Sequence, residues 1–164
     1  MTVAHRLAKA MPTARQALLG ALLWSLGTGV SSMAGLYLRN GMETDSSWKI
    51  ALLFAAGGLL AWIPALVTAR MTSFGKPAQT RFCACFLFLG LTTLACTALL
   101  FAVEYRLHYV QWHAPFPSRI WFFQMVFTTA VASYQFAVLG LRLYFPLGLM
   151  FLITASFTMA RRMR

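Results

Sequence analysis

The sequence predicts an all-α integral membrane protein. The expected architecture is a bundle of four transmembrane helices plus a C-terminal re-entrant or interfacial segment, with a fifth transmembrane helix as the alternative. Three observations predict it. Of 164 residues, 60% are apolar and 10% are charged, against about 25% charged in ordinary soluble domains. A chain of this size has too little interior to hide that much apolar surface from water. The apolar residues also recur in segments of spanning length, and the basic residues flank those segments.

The elements follow in order. Residues 1–16 form a basic N-terminus with Arg6, Lys9 and Arg15. Residues 17–160 read as one polytopic domain, with spans near 17–36, 50–67, 82–103 and 120–141 and a candidate at 143–160; residues 161–164 are a basic C-terminus. The third span carries no charge over 22 residues. No soluble domain or internal repeat is evident. The N-terminal segment also has the basic, apolar and Ser32-Met33-Ala34 pattern of a cleavable leader. Its apolar run continues past the usual length, so an uncleaved helix is the expectation.

The net charge is +11, from 14 Lys/Arg against 3 acids. In a soluble protein this balance would point to nucleic acid. Here the positive-inside rule and anionic headgroups account for it, and no nucleic-acid partner is expected. With the N-terminus cytoplasmic, Arg6, Lys9, Arg15, Arg70, Lys76 and Arg81 fall inside. Arg39, Lys49, Arg106, Arg119 and the acids Glu43, Asp45 and Glu104 fall outside. The fourth span then runs inward and ends near Arg142. If 143–160 crosses again, Lys and Arg divide seven to seven; if it stays on the cytoplasmic side they divide ten to four. The second division obeys the rule. Pro146 suits the first turn of a new helix and Gly140 and Gly148 loosen the backbone, so a break is expected between them. The asymmetry and the lack of eukaryotic targeting signals suggest a bacterial inner membrane.

Small residues every fourth position let membrane helices approach closely. Gly27, Ser31 and Gly35 form such a stripe on the first helix, Gly57, Ala61 and Ala65 on the second, and Thr129, Ser133 and Ala137 on the fourth. The expected partners are the lipid bilayer and other membrane subunits or copies of this chain. Trp48, Trp112 and Trp121 fit an aromatic belt at the outer boundary. Trp24 and Trp62 fall within spans, where their indole N–H groups need partners.

The most organised polar feature is Gln124, Thr128, Gln135 and Arg142. Their spacing of four, seven and seven keeps them near one helical face. Amides at membrane depth are costly unless paired, so the stripe is a candidate substrate path, with Arg142 drawing an anionic group. Interhelical hydrogen bonding, with Arg142 reaching the headgroups, is the structural alternative. Glu104 and His108 are weak metal candidates, four residues apart; His113 does not converge with them on a straight helix. Cys83, Cys85 and Cys96 have no disulfide or metal spacing. Cys85 and Cys96 share a face but lie roughly 16 Å apart along it. No cofactor is expected. No span carries an acid, and no Gly-rich phosphate loop or catalytic triad is present, so an enzyme is disfavoured. The sequence suggests an accessory subunit packing against a larger membrane complex. The alternative is an oligomeric transporter or flippase for an anionic or lipid-linked substrate, using the Gln124–Arg142 stripe.

Overall fold

The computed structural model describes residues 10–40 and 46–163. His5, Arg6, Lys9, Glu43, Asp45 and Arg164 lie outside the described residues. Among the described residues from Ala14 on, five α-helices follow one another: α1 (Ala14–Asn40), α2 (Ser47–Ser73), α3 (Ala78–Tyr109), α4 (Arg119–Gln135) and α5 (Leu147–Arg162). Short 3-10 turns follow α3 (Val110–Trp112) and precede α5 (Leu141–Tyr144), and a π turn (Phe136–Gly140) extends α4. Among the described residues four helical stretches are long and apolar enough to cross a membrane: Ala14–Arg39, Ser47–Ser73, Ala78–Trp112 and Arg119–Tyr144. The fold is the expected all-α membrane bundle.

Small side chains set the packing of α1, α2 and α3. A Cβ on Gly57 would collide with Thr97 of α3, and one on Gly58 with Thr28 of α1. Ala61 and Ala65 have no exposed surface. The stripe on α1 faces the C-terminal part of the chain. Gly27 abuts Phe151, Ser31 Oγ donates to the Leu143 carbonyl at 3.2 Å, and a Cβ on Gly35 would lie 2.9 Å from the Leu143 backbone. Two of the three stripes therefore lie at contacts within this chain. The third does not: Thr129, Ser133 and Ala137 are exposed on α4.

Several interior hydroxyls satisfy themselves on nearby carbonyls. Thr28, Thr93 and Thr97 each donate to a carbonyl one turn back in their own helix. Thr28 also reaches the Phe54 carbonyl at 3.0 Å. Both mid-span indoles find partners: Trp24 Nε1 donates to Thr93 Oγ1 at 2.9 Å, and Trp62 Nε1 to the Gln16 carbonyl at 3.2 Å. Ser32 is buried within α1, so the leader-like Ser32–Ala34 triplet sits in a packed helix.

The chain breaks where Gly140 and Gly148 predict. The α-helical pattern gives way at Phe136, passes through the π and 3-10 turns, and becomes extended at Phe145 before α5 begins after Pro146. The path on either side differs from the expected one. Arg39 donates to the Arg142 carbonyl, so Arg142 lies at the same end as Arg39. The expectation that the fourth span carries Arg142 to the opposite edge is corrected. From there α5 runs back along α3. Tyr144 meets Thr97 at 2.8 Å, Leu152 faces Gly90, and Met163 at the far end accepts from Arg81. The C-terminal segment is thus the bundle's fourth packed helix, not a loop or a surface helix. Arg162 lines the same groove as Arg70, and Met163 meets Arg81, at the end away from Arg142; the charge count groups Arg142 with them. The physical reason is the break itself: α4 stops before it has descended, and α5 makes the descent.

Gly35→Leu should destabilise the isolated chain, because the Leu143 backbone cannot yield as a side chain would; overpacking of this kind costs about 1–3 kcal/mol. Unfolding in detergent should shift accordingly, while Gly75→Ala, at a positive-φ turn glycine with nothing nearby, should show only local strain.

Candidate functional site

The expected polar stripe divides into two parts. Gln124 and Thr128 close the α3–α4 turn. Gln124 Oε1 accepts from the Ala114 N–H at 2.8 Å, and Thr128 meets His113 at 3.3 Å as well as its own helix carbonyl. Ser118 caps α4 by accepting from the Trp121 N–H at 3.0 Å. These are structural hydrogen bonds of a hairpin. The offsets that align the four residues hold only while the helix is regular, and the π and 3-10 turns intervene before Arg142.

Gln135 and Arg142 instead line a cleft of 650 Å³ at the Arg39 end. Its cations are Arg39, Lys49 and Arg142, contributed by α1, α2 and the turn before α5. Glu104 and His108 enter from α3 and face the same space. Among the described residues no group of three or more His, Cys, Asp and Glu side chains converges to hold a metal. Gln135 hydrogen-bonds the Tyr105 hydroxyl, and Tyr105 packs on Tyr109 with ring centres 4.6 Å apart.

The floor of this cleft is aromatic. Phe136 sits 6.3 Å from both Phe54 and Phe101, and Phe54 lies 4.9 Å from Tyr144. Tyr144 is anchored by Thr97, deep in the bundle. These rings come from two helices and the two turns that follow α4. No periodicity in the sequence relates them, so sequence reasoning missed them; the turns that break the fourth helix bring Phe136 and Tyr144 onto Phe54. The arrangement is a cationic mouth over an apolar, closed floor. It suits retention of an anion with an apolar body. It lacks a paired nucleophile and base.

Beyond the cleft, α4 is a sparsely covered arm. Its in-chain partners, Ala114, His113 and Tyr105, belong to the last turns of α3 and the residues after it. Its apolar side chains stand free on several sides: Phe127 is 66% exposed and Tyr134 69%.

Single cysteines placed at 142 and at 162, in a chain whose native cysteines are replaced, should label from opposite sides of the membrane; labelling of both from one side would contradict the path of α5. Comparison with known proteins finds no matching family model, no matching curated protein and no matching solved structure, so the functional reading stands on this geometry.

Proposed function

We propose that this protein is a small accessory subunit of a larger membrane assembly and that α4 is the helix it offers to a neighbour. The observation that carries this reading is the uncovered stripe Thr129, Ser133 and Ala137, exposed along α4, while the equivalent stripes on α1 and α2 are filled by the chain itself. Thr129 and Ser133 bond carbonyls of their own helix, 2.8 Å each, so they leave a smooth, narrow surface. Such a surface admits a second backbone closely, and close packing is a main source of helix affinity in lipid. Phe127, Val131 and Tyr134 flank it with exposed bulk. The reading places the chain in a bacterial inner membrane with the Arg15, Arg70 and Arg81 end cytoplasmic, on the strength of the charge asymmetry.

The test is the mass of the native assembly, extracted with its surrounding lipid. A species well above the 18.3 kDa chain, containing a different membrane protein, is expected. The double substitution Thr129→Leu and Ser133→Leu should release the chain without lowering its own thermal stability, because both side chains are exposed and bond only carbonyls of their own helix. A lone monomer before substitution would sink the reading.

The alternative, an oligomeric transporter or flippase, is favoured by one observation: Arg142 and Gln135 share the cationic cleft with Arg39 and Lys49. It expects Arg142→Ala to abolish movement of an anionic or lipid-linked substrate in a chain that remains folded. The accessory reading expects the parent complex to keep its activity in Gln135→Leu.

A further inference from the structure

The two helices α1 and α5 meet at Gly27, where an added Cβ would lie 3.4 Å from Phe151. Toward the Arg70 end they part, and a groove of 850 Å³ opens between them. Leu19 and Leu23 of α1 and Phe151 and Ala155 of α5 form its walls, and Trp62 and Leu66 of α2 its floor. At the mouth stand Arg15, Arg70 and Arg162, one from each of the three helices. From Gln16 to Gly27 the helical rise makes the groove about 16 Å deep. That is close to one leaflet of a hydrocarbon core about 30 Å thick.

The mouth is built, not merely charged. Arg70 donates to the carbonyls of Ala10 and Met11 at 3.3 and 3.2 Å and to Gln16 Oε1 at 2.9 Å. A guanidinium has five N–H donors, so these bonds fix its plane and leave donors over. Gln16 is held in turn, since its carbonyl accepts from Trp62 Nε1 at 3.2 Å. The Trp62 ring lies over Gly20, where any Cβ would collide with it. No carboxylate lines this groove among the described residues. Of the chain's three acids, Glu104 faces the opposite cleft, and Glu43 and Asp45 fall in sequence between Arg39 and Ser46, which also line that opposite cleft.

We propose that this groove binds an anionic membrane phospholipid, with one acyl chain along Leu23, Trp62 and Phe151 and the phosphate at Arg70, supported by Arg15 and Arg162. Three cations with no carboxylate among them favour an anion, and a guanidinium fork matches phosphate oxygens in pairs. The apolar depth of one leaflet selects a lipid over a soluble phosphate. A zwitterionic headgroup would bring its own cation to the arginines and is disfavoured. The site rests on neither reading of the Arg39 cleft or of α4.

The test uses the full chain with Trp48, Trp112 and Trp121 replaced by Phe, so that emission comes from Trp24 and Trp62, both of which line the groove. Phosphatidylglycerol brominated on its acyl chains should quench this emission at lower mole fraction than brominated phosphatidylcholine. Arg70→Gln should weaken that preference about tenfold, the loss of one charge-assisted contact. Arg162→Gln, at an exposed position, supplies the same comparison if the Arg70 variant fails to fold. Thr154→Phe, from an exposed position on the groove wall, should reduce quenching by both lipids. Equal quenching by the two lipids, unchanged in the arginine variants, would overturn the proposal. So would full displacement of the lipid preference by millimolar inorganic phosphate, which would mark a free-anion site.

Discussion

The structure depends on how the chain satisfies its backbone where the fourth helix breaks. A helix interrupted within an apolar bundle leaves carbonyls without intrahelical partners, and apolar side chains offer none. The freed groups at Arg142 and Leu143 are met from α1. Ser31 donates to the Leu143 carbonyl, Arg39 reaches the Arg142 carbonyl, and Gly35 lets the backbone approach between them. These three residues stand four apart on one face of α1, one turn above another. Phe145 closes the turn by donating to the Arg142 carbonyl at 3.2 Å. The break is therefore tolerated because it is buried in protein, and its position fixes where α5 begins.

Everything at the two ends follows from that position. Because the chain turns beside Arg39, Arg142 joins the cations of α1 and α2 and not those of the α2–α3 connection. Because α5 descends along α3, its terminal arginines join Arg70 and Arg81. Because α5 leans on α1 only as far as Gly27, the lower halves of those helices part. The result is a cleft at each end, each with an apolar interior and cations at its mouth. Between them the bundle is closed by paired hydroxyls and rings: Trp24 on Thr93, and Tyr144 on Thr97 and Phe54.

The same geometry separates α4 from the other helices. Few of its side chains are covered by the other helices. Its anchoring is local and polar, through Gln124, Thr128 and Gln135 at the end of α3. A stripe that would be in-chain packing on any other helix is left on the surface, which is why α4 is the element that a neighbouring chain can use.

Much of this was legible in the sequence. Apolar runs of spanning length predict the helices, because the bilayer fixes how long they must be. The glycines and Pro146 predict the break, because a helix cannot pass them unchanged. The stripes Gly27–Gly35 and Gly57–Ala65 predict close contact, because only small side chains permit it. The charge count groups the terminal arginines with Arg70 and Arg81, but it groups Arg142 with them too, and the structure does not. What the sequence alone could not decide is which helix fills which place. The spacing of Gln124, Thr128, Gln135 and Arg142 assumes one continuous helix, whereas Gln124 and Thr128 close the α3–α4 turn and Gln135 and Arg142 line the cleft. The rings of Phe54, Phe101, Phe136 and Tyr144 are far apart in the chain. Lipid exerts no preference for one apolar face over another, so periodicity carries no signal for their meeting. Only the tertiary path through the turns that break the fourth helix, and of α5 beyond them, assembles them together with both clefts.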